Sequence, residues 1–435
     1  LKLLIWIEPI YIRDSKVTYA WVADRFVSAL TELWQTDPVV AKQVKIFCNR
    51  ATAEHIQAER NIPLPNLLLP TPDEEVRLEH AFPVWQADGY ARWARHMEGK
   101  EEYSDGYLAM LQRVWSEFPF DAILHWGTSR FIKRFAETRG IVPLFAELGP
   151  VRPPFLATGV VDAFGVNGDS CLASGNISVL GSSSAQKTLS YSHFSRQHSE
   201  EREHYILFPL QTQDDANILL HNGGKDYSKE IVFAVKRAAA LGWRCVVKPH
   251  PGAALSDYNR TADEALLQQL KLISGVEILG PRMEADNYRR LIGNAAGVVT
   301  FNSSVGCEAS LLGTPTHVIA KAGYAPPGRF PDLETLLSGI PAGREWLAQM
   351  EDLHDVILNR YLLHIDRVFD LHHLWDVAAF WKRQLESSKT SSIHEDRRLI
   401  SRWVKRVLRS GTPSWIAAPD SRQENPLGLG LAMDS

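Results

Sequence analysis

The stretch Asn302-Ser303-Ser304-Val305-Gly306-Cys307-Glu308 sets two hydroxyls at the start of an expected helix, with a carboxylate inside it. That arrangement suits anion binding. Free backbone N–H groups and the positive end of the helix dipole favour negative charge at a helix start, and serine hydroxyls add donors. Glu308 follows about one turn later, roughly 6 to 7 Å along the axis at ~1.5 Å per residue, the reach from a phosphate to a ribose. The alternative is a serine N-cap followed by a surface glutamate, since serine is among the preferred caps.

Other candidates fall at expected strand ends. Lys248-Pro249-His250-Pro251 holds an imidazole between two prolines, which restrict its backbone; it reads as a phosphate donor or as a rigid turn. Asp214-Asp215 follows Gln211 and reads as a solvated turn, a metal pair or a functional carboxylate. No third carboxylate or histidine stands nearby in sequence, so no metal is expected. His372-His373 are adjacent on a helix and point apart, which argues against a metal there too. Glu147 is a loop carboxylate or a general base, and Arg282 in Gly280-Pro281-Arg282 is a candidate contact to a nucleotide base.

These residues need a scaffold that gathers strand ends. Apolar runs Leu3 to Ile7, Val44 to Cys48, Ala122 to Trp126 and Val142 to Ala146 alternate with helical patterns, which predicts a parallel sheet with crossover helices. A second alternation covers strands Tyr205 to Leu210, Arg244 to Lys248, Val276 to Leu279, Ala296 to Phe301 and Thr316 to Ala320. The expected division is 1–200 for a first Rossmann-like, acceptor-side domain ending in a Ser/Gly-rich loop and 201–330 for a second, nucleotide-binding one. A helical region over 331–410 and a linker-like tail over 411–435 complete it. In open α/β sheets ligands bind outside the carboxyl ends of the strands, where the polar outliers lie.

With 435 residues, two domains are the default. A net charge of -4 supplies no basic field for nucleic acid. The four cysteines lack zinc-site spacing and disulfide density, which predicts a reducing cytoplasm, and no apolar run approaches the ~20 residues of a membrane span. The first residue is Leu1, so an excised module of a larger polypeptide is expected.

Taken together, Leu210-Gln211 with Asp215 and Asn217, Lys248-Pro249-His250-Pro251, and Asn302-Ser303-Ser304 with Glu308, Gly313 and Pro315 resemble the capsule polysaccharide synthesis family. That family includes the retaining β-Kdo glycosyltransferases of capsule linkers and some O-antigens. Glu147-Leu148-Gly149, Gly165-Val166-Asn167 and Gly323-Tyr324 extend the resemblance over roughly Leu3 to Tyr324, and it departs at Ala216, where a hydroxyl residue is expected. The His-Pro and Ser-Ser elements are also similar to those of bacterial sialyltransferases.

The resemblance implies an α/β fold of GT-B type, with two Rossmann-like domains, a catalytic cleft between them and a helical C-terminal region. It implies CMP-β-Kdo as donor, net retention, no cofactor or metal, and a place in Gram-negative capsule, O-antigen or lipopolysaccharide synthesis. Under it Asp215 is the nucleophile and Glu147 the general base. His250, Ser303 and Ser304 serve the leaving phosphate, and Glu308 serves the ribose. Lys248, Asn302, Gln211 and Arg282 complete the donor side. An oligosaccharide or lipid-linked glycan is the expected acceptor. Arg397, Arg398, Arg402, Lys405, Arg406 and Arg409 form either a solvated helix face or a peripheral contact with the inner face of the inner membrane. The alternatives are another cytidine-nucleotide transferase, such as a sialyltransferase or a CDP-glycerol glycerophosphotransferase, and an inactive glycan-binding module.

Overall fold

Continuous apolar runs of four to six residues form strands buried on both faces when helices cover a parallel sheet. The computed structural model describes residues 1–11, 15–60, 66–81, 87–100, 104–176, 194, 203–339 and 343–390. Residues Leu1–Lys382 make one compact unit containing two such sheets. The basic run at 397–409, the tail at 411–435 and most of the Ser/Gly-rich loop lie outside the described residues.

The first sheet is built from β1 (Leu3–Trp6), β2 (Val44–Phe47), β3 (Leu67–Leu68), β4 (Ala122–Trp126), β5 (Val142–Leu148) and β6 (Thr158–Asp162). Its order is β12-β6-β5-β4-β1-β2-β3, where β12 (Leu363–His364) comes from the C-terminal region. That region is helical around β12, which pairs antiparallel with β6 and returns the chain to the first sheet. The helix Ala20–Thr36 buries Val22, Phe26, Leu30 and Leu33, an apolar stripe of helical period.

The second sheet has the order β11-β10-β7-β8-β9 and is wholly parallel. Its strands are β7 (Glu203–Pro209), β8 (Arg244–Lys248), β9 (Val276–Ile278), β10 (Ala295–Thr300) and β11 (Thr316–Val318). Strand order reverses between β7 and β10 here, and between β1 and β4 in the first sheet. At such reversals the connecting helices diverge to opposite faces and open a crevice. The expected α/β architecture is present, with the second sheet wholly parallel and the first parallel except at its β6 and β12 edge.

One expected strand end moves. Glu147 and Leu148 lie inside β5 rather than after it, because antiparallel β6 extends the pairing, with Glu147 opposite Val160. Three short strands, β3, β6 and β12, have no counterpart in the sequence reading. Among the described residues no helix is long and apolar enough to cross a membrane. All four cysteines are buried and free.

Candidate functional site

At the second sheet's crevice, Gln211 and Asn302 lie just past the ends of β7 and β10 and bind each other. Gln211 Nε2 donates to Asn302 Oδ1 at 3.0 Å, and the Asn302 backbone N–H donates to Gln211 Oε1 at 3.2 Å. Asn302 Nδ2 also donates to the Asn217 carbonyl at 2.9 Å. Both side chains are buried, so they brace the crevice floor with their hydrogen bonds already made. Ser303 caps the helix Ser304–Leu311, its Oγ accepting from Val305 N–H at 3.3 Å, while Ser304 is half-buried at the first turn. This helix start approaches Tyr324, whose hydroxyl donates to the Ser303 carbonyl at 2.7 Å. A Cβ on Gly306 would collide with that hydroxyl and come within 2.8 Å of Thr300 Cγ2, so the approach requires glycine.

His250 follows β8. Gly252 N–H donates to its Nδ1 at 3.0 Å, so the neutral ring carries its proton on Nε2. Burial lowers its pKa, against the opposing pull of the Asp215 charge. A neutral imidazole with its proton on Nε2 can donate to an anion. Lys248 has another job: its Nζ donates to the carbonyls of Pro249 at 3.1 Å and Pro281 at 2.6 Å, tying the loops after β8 and β9. Burial lowers its pKa. Arg282 lies exposed on the loop that Lys248 holds. Asp215 caps the short helix Ala216–His221, with Oδ1 accepting from Asn217 N–H at 2.8 Å.

The two sheets' edges meet at this site. Glu308 is buried, and its Oε1 accepts from the backbone N–H of Arg152, on the loop after β5, at 3.0 Å. Tyr288 donates to its Oε2 at 3.1 Å. Burial outweighs these bonds and pushes the Glu308 carboxyl up to about 7. Glu147 is also pushed up to about 7, first by loss of water and further by the Asp215 charge. Leu148 N–H, at 2.8 Å from its Oε1, and the Arg152 charge pull the other way. The Asp215 charge on the second sheet thus reaches the Glu147 carboxyl on the first.

Residues 182–334 match the family described as capsule polysaccharide biosynthesis protein. The match covers this segment and not the rest of the 435 residues. No curated protein matches the chain. Among solved structures, the chain is similar to the KpsC beta Kdo 2,7 transferase of Thermosulfurimonas dismutans, with 14% identity and a TM-score of 0.40 over 82% of this chain and 99% of that one. It is also similar to the beta Kdo 2,4 transferase of the same KpsC, with 19% identity and a TM-score of 0.37 over 56% and 80%. The UDP-GlcNAc 2-epimerase of Methanocaldococcus jannaschii shows 12% identity and a TM-score of 0.33 over 87% and 100%.

The matched segment carries Gln211, Asp215, Lys248, His250, Arg282, Asn302, Ser303, Ser304 and Glu308, while Glu147 comes from the chain before it. Sequence reasoning missed Arg152 and Tyr288, which engage Glu308. The turn Gly149-Pro150-Val151-Arg152-Pro153 gives one signal, since prolines on both sides fix an arginine at a strand end. It also missed a buried network at the crevice between β1 and β4. There Tyr107 donates to Glu8 Oε2 at 2.8 Å and Trp6 Nε1 donates to Tyr107 at 2.6 Å, with His125 Nε2 3.4 Å from the same carboxylate oxygen.

Proposed function

We propose that the protein is a retaining glycosyltransferase that moves Kdo from CMP-β-Kdo to a glycan acceptor in capsule polysaccharide synthesis. The observation that carries this reading is the cluster at the second sheet's strand ends, where Asp215 and His250 follow β7 and β8 and Glu308 bonds the Arg152 loop of the first half; the Asp215 charge, which bears on both Glu147 and His250, supports it. The family match of the segment that holds Asp215 and His250 supports the same pathway.

In the proposed reaction, Asp215 Oδ2 attacks the anomeric carbon as the bond to the CMP phosphate breaks. Oδ1 stays held by Asn217 N–H, which fixes the carboxylate's orientation. His250 Nε2–H and the hydroxyls at the Ser303 helix start meet the charge that develops on the phosphate, as preorganised donors do most effectively. The glycosyl ester on Asp215 is then opened by an acceptor hydroxyl, whose proton passes to Glu147. Two inversions give net retention. A base with a pKa near 7 is matched to that transfer at neutral pH.

The test is intact-mass analysis after mixing with CMP-Kdo in the absence of acceptor. Wild type should show a covalent Kdo adduct, mapped by peptide analysis to Asp215, and Asp215→Asn should show none. Full transfer activity with an unchanged anomer in Asp215→Asn would remove the nucleophile. A preference for UDP or CDP over CMP in thermal stabilisation would overturn the donor.

A further inference from the structure

Kdo carries its own carboxylate on the anomeric carbon, so the proposed reaction gathers three negative groups around one atom: Asp215, Glu147 and the sugar's carboxylate. A cation is needed there. Lys248 does not supply it freely, because its ammonium is committed to the carbonyls of Pro249 and Pro281. Arg152 is placed otherwise. It is exposed, and among the described residues its only side-chain hydrogen bond is from Nε to the Gly149 carbonyl at 3.3 Å, with no ion pair. Four of its five N–H donors are therefore open, in the planar fork that matches a carboxylate. Its backbone N–H bonds Glu308 of the second half while its Nε bonds Gly149 of the first, which sets it between the two halves, and its charge bears on Glu147, His250 and Glu308.

The loop presenting Arg152 is fixed on both sides. Thr158 Oγ1 donates to the Val151 carbonyl at 2.5 Å, and Gly149 N–H donates to the Thr158 carbonyl at 2.8 Å. A Cβ on Gly149 would come within 2.9 Å of Thr158 Cβ, so only glycine lets the two segments lie this close. The Arg152 backbone N–H is anchored on Glu308, and Arg289 donates to the Pro154 carbonyl. A fixed loop loses little freedom when its guanidinium takes a ligand.

We propose that Arg152 recognises the carboxylate of the transferred sugar acid. The inference rests on the transferase reading above. The phosphate already has donors on the second half, in His250 and the Ser303 helix start, whereas Arg152 sits on the first half beside the proposed base. That position favours the sugar carboxylate over the phosphate.

CMP and CMP-Kdo separate the two anions, because CMP carries the phosphate without the sugar acid. The dissociation constant of CMP and the concentration of CMP-Kdo that half-saturates CMP release without acceptor are measured for wild type, Arg152→Ala and Arg152→Lys. Both variants keep the backbone N–H that anchors Glu308, and their melting temperatures confirm folding. Loss of a charge-assisted pair in Arg152→Ala should raise the CMP-Kdo half-saturation by about tenfold or more, with CMP affinity within about twofold of wild type. Arg152→Lys, which keeps charge and loses the fork, should fall between. A parallel loss of CMP affinity would mean that Arg152 holds the phosphate, and unchanged values for both ligands would make it a bystander; either overturns the proposal. A wild type that responds to neither ligand would instead overturn the transferase reading, and this inference with it.

Discussion

Replacing Glu308 by Gln tests the site's electrostatics without any substrate. Glutamine keeps both contacts: its oxygen accepts from Arg152 N–H, and its amide donates to Tyr288, whose hydroxyl turns from donor to acceptor. What it removes is the titration. Below pH 4.5 the Glu308 carboxyl is protonated in the folded and unfolded chains alike, so ionisation costs nothing. Between pH 4.5 and about 7 the unfolded chain ionises while the folded one holds its proton, and the wild type loses stability as pH rises. The loss is complete above about pH 7. A rise from 4.5 to about 7 corresponds to ~3 kcal/mol, at ~1.36 kcal/mol for each tenfold change in proton affinity. Glu308→Gln escapes this loss, so its stability relative to wild type should improve by ~3 kcal/mol between pH 4.5 and pH 8. Urea unfolding of both proteins across that range measures the difference, and the other groups titrate equally in both and cancel. A gap that stays constant with pH would refute the buried, strained carboxyl. A gap that moves the other way would mean that the site stabilises the Glu308 anion.

Two further predictions concern activity and packing. Because the Glu147 carboxyl is pushed up to about 7, transfer to acceptor should rise about tenfold per pH unit below pH 7 and level off above it, with Glu147→Gln reduced by about 10²-fold or more; a rate flat down to pH 5 would remove Glu147 as the base. Gly306→Ala should cost about 1 to 3 kcal/mol in unfolding measurements through overpacking against Tyr324, and Tyr324→Phe in the same chain should recover part of it, whereas strictly additive effects would place the collision elsewhere.

Local pattern determined much of this protein. Ala122–Trp126, apolar apart from His125, folds as expected into a strand buried on both faces, as does Arg244–Lys248 apart from its exposed first residue. The helix after Asn302 was legible to within a residue at each end, expected over Ser303 to Leu312 and found over Ser304–Leu311, because caps and periodicity act over a few residues. The two-residue strands β3 and β12 were not, since they have no period of their own and exist through their neighbours in the sheet. The antiparallel strand β6 likewise set where β5 ends, and so placed Glu147 inside a strand.

The site divides along the same line. Its chemistry-bearing residue types stood at strand ends in the sequence, but spacing could not say which were committed elsewhere. Gln211 and Asn302 are spent on each other, Lys248 is spent on two loop carbonyls, and His250 has its Nδ1 taken by Gly252 N–H. Nor could spacing bring Arg152 to Glu308 across 156 residues, or set Glu147 within reach of the Asp215 charge. Helix periods and caps reach a few residues along the chain, whereas desolvation and charge depend on whatever the fold packs nearby. The sequence by itself determined the strands, the helix starts and the donors at their ends, and only the tertiary structure decided which of those groups face one another and which remain unpaired.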